Sequence, residues 1–343
     1  MGRLGEAFGG EAFTVIEAQS AGVGHGTLSR LVTAGALVRV ARGLYVVPRA
    51  EHSWIDRLRS HLESRPGMAA CSLTAAELTS VAIPPEPAAP VERASRNRRT
   101  AQGHRVAIAG LSAGSTQLGG AREQDLLHLC AIEGFDVPHW RVSGVRFVRM
   151  SVPASQVIEV RSGIRVTDPI RTALDLARGR DLACALVPLD SVLRRLLRAG
   201  FPLDVARALV GERCDQMISY PGVRALRRAV GLMHAGAETA LESLVRGRLI
   251  EAGIDGIRVQ LLVAGASGRE YRVDLAIEKA PGRFVIIEAD GLGKYAESTD
   301  LVKEKLRQHD LESGGHGVVR VVYREAAYEP AGFIARVRSA LAC

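Results

Sequence analysis

The sequence predicts an α+β multidomain protein, and three observations carry that reading. The first 48 residues pattern as helix, turn, helix and hairpin. A long middle region, 49–235, mixes helices of apolar period with proline-rich and basic loops, as a mixed α/β connector would. From 236 to 343 the order becomes helix, three strands, helix and strand, with carboxylates at the ends of apolar strands. A chain of 343 residues is long enough for two or three domains with cores of their own.

In the first segment, Glu11 to Gln19 suits a short helix and Ser20 to Gly24 a turn. Gly26 to Thr33 suits a second helix that turns Leu28, Leu31 and Val32 inward. Two short β runs follow, Leu37 to Val40 and Leu44 to Val47, joined by Ala41-Arg42-Gly43. Helix, turn, helix and hairpin make a winged helix-turn-helix, whose second helix enters the major groove while the hairpin touches the backbone. Thr27 and Arg30 would then face DNA from the helix, with Arg39 and Arg42 on the wing. A winged helix that binds protein instead of DNA is the competing reading.

The residues Ala21-Gly22-Val23, Leu28-Ser29-Arg30-Leu31-Val32, Gly35-Ala36-Leu37 and Arg42-Gly43-Leu44-Tyr45-Val46 resemble the N-terminal domain of AbiEi-type antitoxins. That resemblance implies a repressor of a type IV toxin–antitoxin system, with DNA and a nucleotidyltransferase toxin as partners.

The middle segment says least about chemistry. Pro84, Pro85, Pro87 and Pro90 mark a loop, and Arg93 to Arg99 is a basic run that suits either a solvated loop or a phosphate backbone. Asp168 can cap a helix over Ile170 to Ala177, with Pro169 in its first turn. The phrase Arg165 to Leu176 is similar to the middle of actinobacterial proteins with an AbiEi-like head. Helices continue through Asp181–Ala199 and Pro221–Met233. No catalytic constellation shows here, so a structural connector is the expected role.

In the third segment a helix over Glu238–Ala252 precedes strands at Arg258–Ala264, Glu270–Ile277 and Arg283–Ala289. A helix at Thr299–Glu312, a strand at Gly317–Tyr323 and a closing helix near Ala331–Leu341 complete it. Alternation along a strand sends Glu288 and Asp290 to the same side. Burying carboxylates beside Ile and Val costs several kcal/mol per ion unless a cation compensates, so a metal-dependent acidic site is expected.

This αβββαβ order, with Glu242-Ser243-x-x-Arg246, Arg272-Val273-Asp274-Leu275, Glu288-x-Asp290-Gly291 and Glu304-Lys305-Leu306-Arg307, resembles the PD-(D/E)XK (restriction-endonuclease-like) fold. Within it, the phrases are similar to domains related to very-short-patch-repair endonucleases. The resemblance implies Asp274 as central metal ligand, Glu288 as the next and Glu242 as the helical carboxylate, holding Mg²⁺ or Mn²⁺. Glu238, one turn before Glu242, shares its face. The motif's lysine position is Asp290 here, which makes Lys294 and Lys305 the replacement candidates. Helical spacing places Lys305 among Leu301, Val302 and Leu306 on an inward stripe, with His309 on the same stripe and Lys303 and Arg307 outward. Three functions follow: a metal-dependent deoxyribonuclease that binds DNA, an antitoxin-type repressor whose nuclease fold is inactive, with Lys305 simply pairing with Glu288 or Asp290, or a structural scaffold that binds a partner toxin.

The bulk composition agrees with an acidic partner such as DNA. The net charge is +8, and arginine supplies nearly all the basic residues; the lysines are Lys279, Lys294, Lys303 and Lys305. A G+C-rich genome would produce the same bias. Cys71, Cys130, Cys184, Cys214 and Cys343 are scattered, which disfavours both a zinc site and a disulfide framework. No signal pattern opens the chain and no apolar run reaches membrane-spanning length, so the expected location is the cytoplasm.

Overall fold

A computed structural model describes residues 13–33, 37–41, 44–46, 54–85, 126–138, 142, 144–160, 163–217, 219–290 and 298–342. Helices and sheets are mixed, as expected. Two compact units form, one from residues 1–80 with 115–172 and one from 81–114 with 173–343. Within residues 49–235, the described strands fall in the first unit and the later helices in the second.

The first unit begins with β1 (Phe13–Thr14), α1 (Val15–Ser20), α2 (His25–Thr33), β2 (Val38–Ala41) and β3 (Leu44–Val46). The strands lie in the antiparallel order β1-β3-β2. Thr14 starts α1 with a reciprocal cap: its hydroxyl accepts from the Glu17 N–H at 3.3 Å, and the Glu17 carboxylate accepts from the Thr14 N–H at 2.6 Å. Gly22 supplies the positive φ (79°) that turns the chain between the helices. Phe13 stacks on Tyr45 over buried Ala18, Leu28 and Leu37, with Leu31 and Val32 at the edge. The expected inward stripe of the second helix is the observed one. The first helix starts later than Glu11 because Phe13 and Thr14 pair with β3, a two-residue strand too short to leave a pattern.

The same unit continues with α3 (Trp54–Glu63), β4 (Met68–Ala70), α4 (Ser72–Thr79), β5 (Leu127–Ile132), β6 (Val145–Val152), β7 (Val157–Val160) and β8 (Ile164–Thr167). These strands form a five-stranded mixed sheet, β6-β5-β4-β8-β7, that the sequence pattern does not anticipate. Leu58, Leu62, Leu129, Ile164 and Val166 are its buried core. Arg165 fastens the helix-to-strand connection by donating to the carbonyls of Leu62 (2.6 Å), Met68 (3.0 Å) and Arg65 (3.2 Å). Asp168 caps α5 (Pro169–Ala177) as expected, accepting from the Arg171 N–H at 2.8 Å.

The second unit holds α6 (Leu182–Arg198), α7 (Leu203–Asp215), α8 (Val223–Leu232) and α9 (Ala240–Glu251), of which α7 was not expected. Helices α6 and α9 cross closely at Gly247, where a Cβ would stand 2.3 Å from the Ala183 Cα. Beside that crossing Arg246 donates two bonds to Asp190, both at 2.9 Å. Then come β9 (Arg258–Ala264), β10 (Glu270–Ala280), β11 (Arg283–Asp290), α10 (Ser298–Ser313), β12 (Gly317–Val322), α11 (Tyr323–Tyr328) and α12 (Pro330–Ala342). The sheet order is β12-β11-β10-β9, antiparallel except for the parallel β11–β12 pair. One face buries Leu275, Ile277, Val285 and Ile287 with Leu244, Val245, Phe333 and Val337 of α9 and α12. On the other, Val273, Ala276 and Ile286 meet Leu311 of α10. The expected αβββαβ order is observed, with α11 added before the last helix.

Candidate acidic site and nucleic-acid interface

Strand register assembles the acidic site. Leu275 pairs with Ile287, so one step along, Asp274 stands opposite Glu288. Val259 pairs with Leu275 and Leu261 with Val273, which sets Gln260 opposite Asp274. Glu288 pairs with Arg320 across the parallel edge. A polar row, Gln260–Asp274–Glu288–Arg320, therefore crosses all four strands at one level of an otherwise apolar sheet. Glu242 joins the row from the first turn of α9, whose N-cap Thr239 accepts from the Glu242 N–H at 3.1 Å.

Each carboxylate commits an oxygen to a fixed donor. Glu242 Oε2 accepts from the Glu238 N–H at 2.8 Å and from Gln260 Nε2 at 2.9 Å. Asp274 Oδ2 accepts from the Ala289 N–H at 3.0 Å. Glu288 Oε1 accepts from Arg307 Nη2 at 2.7 Å. Burial first, then the Asp274 charge beside it, pushes the Glu288 carboxyl up to about 7, against the pull of Arg307. The same two causes, burial and Asp274, raise Glu242. Asp274 is thus the common neighbour of both glutamates, and the site has an excess of negative charge that a hard cation would relieve. In kind, the oxygen donors fit Mg²⁺ or Mn²⁺. Among the described residues, however, no group of three or more His, Cys, Asp and Glu is drawn together closely enough to hold a metal ion. Asp274 and Glu288 are cross-strand neighbours, and Glu242 is hydrogen-bonded to Gln260 and Thr239. Glu238 is exposed and salt-bridged to Arg272, and its N–H donates to Glu242.

The orientation of α10 corrects the expectation for its cations. Lys305 is exposed, as are His309 and Leu306, the latter 63% accessible, whereas Arg307, Gln308 and Leu311 turn to the sheet. Arg307 also donates to the Arg272 carbonyl at 3.0 Å and lies 5.9 Å from the Tyr271 ring centroid. Glu304 bridges it to the row, accepting from Arg320 at 2.6 Å and from Arg307 at 3.5 Å. The physical reason is the polar row itself: a helix covering charged residues meets them with its own charges, so Leu306 does not mark the inward side; the side chains of Leu301, Val302 and Lys303 lie outside the described residues. Arg307 is the residue that sequence reasoning missed, and its recurrence at i+3 from Glu304 was the available signal. Asp290 ends β11, but its side chain, like the whole of Lys294, lies outside the described residues.

In the N-terminal domain Thr27 and Arg30 are both exposed on α2, where Arg30 Nε donates back to the Gly26 carbonyl at 3.4 Å. Arg39 lies on β2 with its side chain outside the described residues, as are Arg42 and the basic run 93–99. No helix among the described residues is long and apolar enough to cross a membrane.

Residues 6–48 match the family of transcriptional regulators described as AbiEi antitoxin, a match compatible with the winged-helix reading of these elements. Two proteins of Mycobacterium tuberculosis, uncharacterized protein MT2308 of strain CDC 1551 / Oshkosh and uncharacterized protein Rv2248 of strain ATCC 25618 / H37Rv, are similar to the chain. Each is 26% identical over 198 residues, 55% of this chain and 69% of the relative. The crystal structure of RV2827C protein from the same organism superposes with a TM-score of 0.33 at 14% identity, covering 65% of this chain and 76% of that one.

Proposed function

We propose that the protein is a DNA-binding transcriptional regulator of the antitoxin type, acting with a cognate nucleotidyltransferase toxin. The observation that carries this is the match of residues 6–48 to the AbiEi antitoxin regulators, over a stretch that holds two short helices and a three-stranded sheet. The exposed Thr27 and Arg30 on α2 suit a helix that enters the major groove. The test is a salt titration of duplex binding with the full chain. Replacing Arg39 and Arg42 together by Ala is expected to weaken binding and lower the log–log salt slope by about one unit for each phosphate no longer neutralised. An unchanged slope removes the wing from the interface.

A second reading is favoured by a separate observation, the placement of Asp274 opposite Glu288 with Glu242 alongside. In it the C-terminal domain hydrolyses DNA phosphodiester bonds with a divalent ion held by Asp274 and Glu288. Such an ion supplies a hydroxide-like nucleophile near neutral pH and polarises the phosphate. The chain's own part is to hold the carboxylates in register, shield them under α10 and keep a guanidinium, Arg307, at hand. Incubation of the full chain with plasmid in Mg²⁺, Mn²⁺ or EDTA tests cleavage directly. Asp274→Asn is expected to abolish Mn²⁺ binding in calorimetry while the chain stays folded, since the amide oxygen can still accept from the Ala289 N–H. A wild-type chain that binds no divalent ion at millimolar concentration, with DNA present, leaves the regulator reading alone.

A further inference from the structure

Helices α7 and α8 each bury one stripe of side chains. Ala206, Val210 and Cys214 turn inward from α7, and Leu226, Ala229 and Val230 from α8. The outward stripes differ in sign. Every exposed charge on α7 is acidic, Asp204, Glu212 and Asp215, and every exposed charge on α8 is an arginine, Arg224, Arg227 and Arg228. The two helices run antiparallel. Arg227, early in α8, donates to Asp215 at the end of α7 at 2.9 Å, and Arg207, early in α7, donates to the Met233 carbonyl just beyond α8 at 2.9 Å. The first of these contacts joins the stripes side by side. Among the described residues, Asp204, Glu212, Arg224 and Arg228 make no ion pair.

Apolar surface lies beside these charges. Of the eleven large hydrophobic side chains exposed among the described residues, three fall within five positions at the start of α7: Phe201, Leu203 and Val205. Exposed apolar side chains gathered in this way and rimmed by charge mark a protein–protein surface. The balance of charge says which kind. The chain as a whole carries +8, yet this hairpin exposes three carboxylates beside three guanidinia. A polyanion such as DNA that met the arginine stripe would also meet the acidic one and be repelled by it. A partner that suits both stripes carries the same two signs in reverse order. A second copy of the hairpin, turned about a two-fold axis, is such a partner.

We propose that α7 and α8 form a two-fold interface between two copies of this chain, with α7 of each copy against α8 of the other. An axis parallel to the helices and between them sets the acidic stripe of each copy over the arginine stripe of its partner. Both matches are made at once, as a self-complementary surface requires. Phe201, Leu203 and Val205 add apolar area beside them. The interface requires neither DNA binding nor the acidic site.

The test is sedimentation equilibrium of the full chain. The wild type is expected to be a dimer at micromolar concentration in low salt, with a dissociation constant that rises with ionic strength because exposed charges are screened. Two variants reverse one stripe each: Glu212→Arg with Asp215→Arg, and Arg224→Glu with Arg228→Glu. All four positions are exposed, so both variants are expected to unfold at the wild-type temperature. Each variant alone sets like charges against each other twice, and its dimer is expected to weaken by about 100-fold or more. An equimolar mixture of the two is expected to dimerise as the wild type does, because the altered stripe of one variant then meets that of the other. A wild type that stays monomeric in low salt overturns the proposal. A dimer that both reversals leave intact overturns it, and so does a mixture of folded variants that stays monomeric. A monomeric wild type whose duplex binding is lost in Arg224→Glu with Arg228→Glu overturns it in favour of a phosphate contact on α8.

Discussion

Asp190→Ala is expected to destabilise the second unit by about 3–5 kcal/mol, the cost of leaving one member of a buried ion pair uncompensated. Asp190 is fully buried and Arg246 is 5% accessible, so water cannot take over the lost charge. Asp190 also accepts from the His234 N–H at 2.7 Å, and Arg246 donates to the Leu232 carbonyl at 3.0 Å. The Asp190–Arg246 pair thus ties together α6, the end of α8, the chain between α8 and α9, and α9 itself. Burial pushes the Asp190 carboxyl up, and the Arg246 charge opposes that rise. Replacing both partners at once, Asp190→Leu with Arg246→Met, is expected to recover most of the loss, because well-packed apolar pairs often equal buried ion pairs in stability. Urea unfolding of the full chain and both variants measures this. A shift below about 1 kcal/mol for Asp190→Ala alone would mean that the pair behaves as an exposed bridge does.

That pair also marks a limit of what the sequence reveals. Arg246 stands out in the sequence only as part of the phrase Glu242-Ser243-x-x-Arg246, and nothing local connects it with a residue 56 positions earlier. The C-terminal strands were legible because each is long enough to carry its own apolar pattern, and their ends agree with the structure within a few residues. Sheet register then brought together Asp274 and Glu288, both named from the sequence. The five-stranded sheet was not legible for the opposite reason. Strand β4 has three residues, and its parallel neighbour β8 pairs Ala70 with Val166 across nearly a hundred positions. Such pairing is set by tertiary packing more than by intrinsic preference. Gln260 was invisible for a third reason: a positive φ at a glutamine, here +55°, has no sequence signature.

Arg307→Met is expected to lower any DNA cleavage by ~10²–10³-fold, the usual loss when one group that stabilises developing charge is removed. The argument begins from the residue at the motif's lysine position, Asp290, which cannot supply positive charge. Of the two lysines that could substitute, Lys305 is exposed on α10, and Lys294 lies outside the described residues. Arg307 instead places its guanidinium on Glu288 at 2.7 Å, next to the carboxylates. It is steered there by the Arg272 carbonyl, by Glu304 and by the Tyr271 ring. Arg307 holds Glu288, the carboxylate that with Asp274 would bind a divalent ion, and its planar fork suits two phosphate oxygens. Methionine keeps the apolar stem and deletes the charge. Mn²⁺ affinity in Arg307→Met is therefore expected to equal or exceed that of the wild type, while the rate falls. Duplex affinity should change little if the N-terminal domain holds the DNA. Lys305→Met serves as the control and is expected to cleave at the wild-type rate. Wild-type cleavage by Arg307→Met, or a loss confined to Lys305→Met, would return the catalytic cation to the lysine that the sequence alone suggested.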